Sequence, residues 1–386
     1  MAKFENSQFA KIYDSKEGRL IVRELLANPD LIRANHLFWT TKFRVDPLLT
    51  PTDAKGRATF VSEMREDLSN YMLDMRAPLG DATPQEKGNL AFYTGVIPDF
   101  TSKAYVENAS ERIYKEKLFD QFGDARLLAM YAADVIQPMI DAGNQTLSYL
   151  SAMLLSTGKG IYDQGEGIQT PIYKVAIPAN NFLTAGTVVW SDTTNCRLLD
   201  QIRKIYDDVR NRIGLDLEMQ LEVPRDIWNN YFLNNAQVIE WVRYVNSLNN
   251  VLLPQTLVLT DQMATEALAS FMGLPRIVII DEKQNDINNG VVHGWASGKA
   301  VLRPLGYAGY IRHTNILDEE VYTKYGNDLI SRNYTPALTG GIALIENVVL
   351  ANGNLKEWQT RLLLSAIPSL DEFIHHFIID TTTADS

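Results

Sequence analysis

The chain has 386 residues, enough for a sizeable core and for two domains or one domain with long extensions, and its 46% hydrophobic content argues against disorder of the whole. With 36 Lys and Arg against 47 Asp and Glu the formal net charge is -11, so a general nucleic-acid-binding role through phosphate neutralisation is disfavoured, while a local basic face stays open. One cysteine, Cys196, excludes an intrachain disulfide framework and a cysteine zinc site and fits folding in a reducing cytoplasm.

The opening stretch, "MAKFENSQFAKIYDSKEGRL", lacks the apolar core of a signal peptide, and no run approaches the roughly 18 apolar residues of a membrane helix, so a soluble product is expected. Residues 3–32 are polar with short apolar pieces and read as an arm with brief helices. From Phe43 to about Lys103 the chain is rich in Pro, Gly, Asp and Thr and reads as a long irregular loop. Helical pattern dominates from about Asn108 to Thr157, with Leu127, Leu128, Tyr131, Val135 and Ile136, then Leu147, Leu150, Leu154 and Leu155, at helical spacing. Gly123, Pro138 and Gly143 are expected to bend or divide it.

"LLSTGKGIYDQGEG" then invites reading as a phosphate loop. The early glycine of G-x-x-x-x-G-K-[ST] is Met153, however, and the residue after Lys159 is Gly160, so two functional positions are missing. Gly158 instead suits a helix C-cap, with strands following at "PIYKVAIP" and "GTVVW". A helix from about Cys196 to Ile213 carries Leu198, Ile202, Ile205 and Val209 on one side. "PRDIWNNYFLN" and "AQVIEWVRYVNSL" read as two helices broken by Asn234 and Asn235. "TLVLT", "DQMATEALASFMG" and "PRIVIID" read as strand, helix and strand, with Thr260 or Asp261 as N-cap, Gly273 as the stop and Pro275 preventing continuation. "DEKQNDINNGVV" is expected as a polar hairpin or loop. "KAVLRPLGYAGYIRHT" and "YTPALTGGIALIENVVL" give short strands and glycine-rich turns, and the chain closes on a strand-like "FIHHFIID" and a polar tail.

No catalytic, cofactor-binding or metal residue is assigned. His36, His293, His313, His375 and His376 form no H-E-x-x-H and no i, i+4 pair, and His375 and His376 would face opposite ways on a strand. Cys196 lies at an expected helix start, where a thiol pKa can fall, but without a basic partner near in sequence. Gly340 and Gly341 read as turn residues, and "DEKQNDINNG" lacks the terminal glutamate of a calcium loop. Trp228, Tyr231, Phe232, Trp241 and Tyr244 fit a core or a subunit interface better than base stacking, since no lysines accompany them.

From about Gly123 to the C-terminus the sequence resembles the lambda-like major capsid protein E family of tailed bacteriophages, which has the Hong Kong 97-type fold. The resemblance rests on "LLSTGKGIYDQGEG" as a helix end, "VVWSD" before a helix, "LLDQIRKIYDDVRNRIG" as that helix, "PRDIWNNYFLNNAQVIEWV" as helix, break, helix, and "LPRIVIIDE" and "VLRPLGYAGY" further on. It implies an α+β capsid fold divided into an N-terminal arm (1–45), an extended loop (46–105), a peripheral domain with a spine helix and strands (106–200), an axial domain (201–360) and a C-terminal return to the peripheral domain (361–386). It further implies a non-enzymatic subunit, made in the bacterial host cytoplasm, that assembles with itself into pentamers and hexamers of an icosahedral head around double-stranded DNA. Loop residues near Lys103 would lie over the adjacent subunit. Scaffold, portal and decoration proteins are possible further partners, DNA is touched only weakly and non-specifically, and no membrane is involved. Deleting residues 46–100 is expected to leave a soluble core that forms no shells. An encapsulin-like protein shell and a soluble α/β enzyme with residues 257–281 as a nucleotide-binding core remain alternatives.

Overall fold

A computed structural model describes residues 38–46, 59–65, 90–98, 100–101, 105–108, 110, 114, 137–163, 169–213, 217–248, 259–286, 290–314, 334–336, 342–351 and 354–385. In chain order they form α1 (Phe38–Lys42), β1 (Phe43–Val45), β2 (Thr59–Arg65), β3 (Leu90–Val96), β4 (Phe100–Thr101), β5 (Tyr105–Asn108), α2 (Gln137–Thr157), β6 (Lys159–Asp163), β7 (Gln169–Lys174), β8 (Phe182–Thr184) and α3 (Leu198–Ile213). Then follow β9 (Met219–Pro224), a helical turn (Arg225–Ile227, continued by Trp228–Phe232), α4 (Ala236–Leu248), α5 (Asp261–Ala269), β10 (Arg276–Ile280), β11 (Gln284–Asp286) and β12 (Gly290–Val292). The rest is strand: β13 (Lys299–Pro304), β14 (Gly309–His313), β15 (Tyr334–Pro336), β16 (Ile342–Ala351), β17 (Asn354–Leu364), β18 (Ala366–Leu370) and β19 (Phe377–Asp380).

The organising element is a five-stranded sheet of order β10-β9-β13-β19-β8. Successive strand residues point to opposite faces, and the two apolar cores divide by that rule. Met219, Leu221 and Val223 of β9, Ile277 and Ile279 of β10, Ala300 and Leu302 of β13, and Phe377 and Ile379 of β19 pack with α3, α4 and α5. Val278 and Ile280, Val301, and Ile378, on the alternate positions, pack with α2 and the strands around it. The sheet is thus the middle layer of three, buried on both faces.

Helix α2 supplies the outer layer of the first core. Leu147, Leu150, Leu154 and Leu155 are all buried, as their spacing predicts. The division expected at Gly143 does not occur. Gly143 lies inside the continuous helix, while Pro138 is the second described residue of α2 and the chain just before Gln137 lies outside the described residues. Leu127 to Ile136, and Gly123, lie outside the described residues. Gly158 closes α2 at φ +68°, its N–H donating to Leu154 O at 2.8 Å, so the cap reading holds. The chain continues directly into β6, which pairs antiparallel with β7.

Two further expectations need correction. "GTVVW" is a series of bends and turns, with β8 lying just before it; Trp190 is fully buried there, its indole N–H held by Ala185 O at 3.0 Å. "TLVLT" lies largely outside the described residues, and Leu259 and Thr260 carry no strand. Thr260 does cap α5, accepting from the Met263 N–H, but α5 ends at Ala269, before Gly273. The break before α4 has a local cause: Asn235, fully buried, accepts from Gln237 N–H at 3.0 Å and donates to Cys196 O at 2.9 Å.

The end of the stretch read as an arm is woven into the body. Phe43 is buried in the first core, β1 lies parallel on β14, and Trp39 donates to Asn144 of α2 at 2.9 Å. Helix α3 straddles position 201, and β16 and β17 pair in one sheet with β15, β4 and β5, apart from the central sheet.

Candidate functional site

Within the region read as an irregular loop, β2 and β3 form an antiparallel two-stranded ribbon, with Thr59 opposite Val96 and Arg65 opposite Leu90. Sidedness is strict. Phe60, Ser62, Tyr93 and Gly95 are buried, while Val61, Glu63, Phe92 and Thr94 are exposed, Phe92 to 60%.

The buried face sits in an aromatic socket. The Phe60 ring meets Tyr93 and Tyr173 edge-on at 6.0 and 5.5 Å, Tyr93 stacks on Tyr173 at 6.0 Å, and Phe373 meets Tyr93 edge-on at 5.3 Å. Tyr93 Oη donates to Leu370 O at 2.7 Å, and Tyr173 Oη donates to Pro368 O. Burial pushes both phenols above their ordinary pKa, so they are donors across the physiological range. Gly95 has no room for a side chain, since a Cβ there would stand 2.5 Å from the Phe60 ring. Beside the socket, Ser62 Oγ lies 3.0 Å from Leu370 O and 3.1 Å from Asp371 Oδ1. Removing residues 46–100 would therefore strip Phe60 and Tyr93 out of the core, contrary to the expectation that such a deletion leaves the body intact.

A second polar group lies between the layers. Glu222, on the face of β9 turned toward α2, is fully buried and its Oε1 accepts from Lys42 Nζ at 2.6 Å, Arg303 Nη2 at 2.8 Å and Gln220 Nε2 at 2.8 Å. Burial alone would raise its pKa, but Arg303 and Lys42 outweigh burial and hold it at about 2. Nearby His376 is buried, its Nε2 2.7 Å from Leu155 O, and burial lowers its pKa to about 4.

The other residues singled out in the sequence do not converge. Cys196 is buried, and burial followed by the Asp192 charge pushes its thiol up to about 11, the reverse of a helix-activated cysteine. His293 Nδ1 lies 2.7 Å from Glu282 O, and His313 Nε2 lies 2.7 Å from Asp46 O. His375 and His376 lie in and just after a 3₁₀ turn, not on a strand. His36, Gly340 and Gly341 lie outside the described residues. Trp228 and Phe232 stack at 5.1 Å inside the second core, and Trp241 donates to Ala267 O at 2.8 Å, while Tyr244 is exposed. "DEKQNDINNG" holds β11 and ends on the first residue of β12, which pairs antiparallel with it. Among the described residues no group of three or more His, Cys, Asp or Glu could hold a metal ion.

A cleft of about 430 Å³ opens at the C-terminal ends of the parallel pair β9–β10, where an α/β enzyme would bind its ligand. It is lined by Asp226, Asp281 and Glu282 as well as by Arg225 and Lys283, and Arg225 is engaged by Asp261 and by Asp281 at 3.5 Å. The turn leaving β9 is Pro224-Arg225-Asp226, with no glycine to let backbone N–H groups close around a phosphate.

No protein-family model and no curated protein matches the chain. Solved structures do resemble it. A protein assigned as the capsid protein of a prophage of E. coli CFT073 is 12% identical, with 94% of this chain and 97% of that chain covered, at a TM-score of 0.48. A phage-related protein from Bordetella bronchiseptica RB50 is 11% identical over 94% and 96% of the two chains, at a TM-score of 0.46. The capsid asymmetric unit of cyanophage A-1(L) matches at 13% identity over 92% and 95%, also at 0.46.

Proposed function

We propose that this chain is the major capsid subunit of a tailed bacteriophage, a structural protein that assembles with its own copies into pentamers and hexamers of an icosahedral head around double-stranded DNA. The sequence resemblance supports this reading, and the β2–β3 ribbon is the observation that carries it. A lone pair of strands is marginal by itself. This one is fixed along one face, while its other face presents Val61 and Phe92, and among the described residues neither outer edge has a strand partner. Free strand edges beside exposed apolar side chains are a liability in a monomer and an asset in a chain that is covered by the next copy. In this reading the segment within residues 46–105 is anchored on its own body by the buried face of the ribbon and offers its exposed face to a neighbour, the α2 layer forms the peripheral body, and the helices α3 to α5 with their sheet form most of the axial part. The excess of acidic residues suits a container that must not hold its DNA tightly.

The nucleotide-enzyme alternative loses support at the β9–β10 cleft, whose acidic lining and glycine-free turn oppose a phosphate. Expression of the full chain, size-exclusion chromatography and negative-stain electron microscopy test the proposal: rings of five or six, or closed shells, are expected. A stable monomer that binds nucleotide saturably sinks it. Replacing residues 66–89 by a short turn keeps the docked strands, and the expected product is a folded chain that no longer closes shells.

A further inference from the structure

Two segments that leave the body in different directions along the chain meet at one side chain. Arg312, on β14, is only 15% exposed at its side chain. Its Nε donates to Ser369 Oγ of β18 at 2.9 Å, its Nη1 pairs with Asp46 Oδ2, and its Nη2 lies 3.3 Å from Asp371 Oδ1. Asp46 ends the segment that begins with α1 and β1, and its own N–H donates to Ile311 O at 3.1 Å while its carbonyl meets His313. Asp371 in turn receives Ser62 Oγ of the ribbon. A planar fork can serve three directed partners at once, which a lysine ammonium on a flexible stem cannot do with the same geometry.

We propose that Arg312 is a mechanical clamp that couples the 38–46 segment to the ribbon, so that release of one loosens the other. The path runs Asp46–Arg312–Asp371–Ser62, and Asp46 has no contact of its own with β2 or β3 among the described interactions. The aromatic socket fixes the ribbon's depth, while the clamp ties its base to the position of β1. Coupling of this kind is reciprocal by necessity, since two sites that bias one equilibrium must affect each other by the same factor. The inference concerns the isolated chain and stands whether or not that chain builds a shell.

Amide hydrogen exchange by mass spectrometry on the full soluble chain tests it, with β9 as the internal reference. Asp46→Asn, which weakens the segment's pair with Arg312 and makes no direct contact with the ribbon, is expected to speed exchange in residues 59–65 and 90–96 by about fivefold or more. Ser62→Ala, which removes the ribbon's hydroxyl contacts to Leu370 and Asp371 and touches nothing in residues 38–46, is expected to speed exchange in residues 43–46 by a similar factor. In an Arg312→Lys background neither change should add further to the far segment's exchange, because the path is already cut. The clamp is refuted when each substitution loosens only its own segment. It is equally refuted when β9 loses protection in step, because the effect is then global unfolding and not local coupling.

Discussion

Replacing Glu222 by Gln keeps its volume and removes the anion from a buried group of one anion and two cations. Lys42 and Arg303 are 7% and 2% exposed, so neither can recover its hydration when the carboxylate is lost. Deleting one partner of a buried pair costs about 3 to 5 kcal/mol, and here one substitution breaks two pairs, so the loss belongs at or above the middle of that range. Against a total stability of roughly 5 to 15 kcal/mol, this brings the chain close to unfolding. Lys42→Met is the informative contrast. It leaves Glu222 and Arg303 balanced one to one and forfeits one charged hydrogen bond, about 2 kcal/mol. Urea denaturation at pH 7, followed through the fluorescence of buried Trp190 and Trp228, measures both. A Lys42→Met chain as unstable as Glu222→Gln would show that charge balance is not what matters at this site.

Acid should act on His376 before it acts on Glu222. Its pKa is near 4 in the fold against an ordinary 6.5, so between those values the unfolded chain binds more protons and stability falls as pH drops. The loss is roughly 3 kcal/mol at most, complete near pH 4, and denaturation curves from pH 8 to 4 should flatten in His376→Gln. Glu222 adds its own loss only between pH 4.5 and about 2. Gly158→Val should lower the melting temperature, since φ is +68° and a Cβ there would stand 2.6 Å from Ile177 Cδ1; the cost is at least ~1 kcal/mol. Cys196 should resist a thiol reagent at pH 8 in the native chain and react promptly in urea, because it is buried with a thiol pKa near 11; fast native reaction would contradict that placement.

Local chemistry was legible in the sequence where one residue decides the backbone. Gly158 ends α2, Thr260 caps α5, and the apolar stripe of α3 faces the core with Leu198, Ile202 and Val209 buried. The strand β9 went unread although Met219, Leu221 and Val223 alternate as a strand should. Its intervening Gln220 and Glu222 suggest solvent, and only Lys42 and Arg303, 180 and 81 residues away in the chain, make a buried carboxylate tolerable there. The ribbon was hidden for a related reason. Its buried positions include a serine and a glycine, Ser62 and Gly95, so the apolar alternation that marks a half-buried strand is diluted. Arg312 carried no signal at all, since its partners Asp46 and Asp371 are 266 and 59 residues distant.

The extended segments are secured in a consistent way. The 38–46 segment is held by Lys42 on Glu222, Trp39 on Asn144 and Asp46 on Arg312, and the ribbon by Ser62 and Tyr93 on the Leu370–Asp371 turn. Apolar burial is tolerant of sliding, because its energy depends on area and hardly on direction. Directed polar contacts are not: a shift of one residue along a strand turns every side chain to the wrong face and leaves each donor unpaired. In the proposed capsid subunit, segments that meet copies of the chain in fixed geometry gain more from direction than from area. Among these contacts Asp46 on Arg312 is the one whose loss should change where a segment sits before it changes whether the body folds, since it leaves the buried Glu222 group intact.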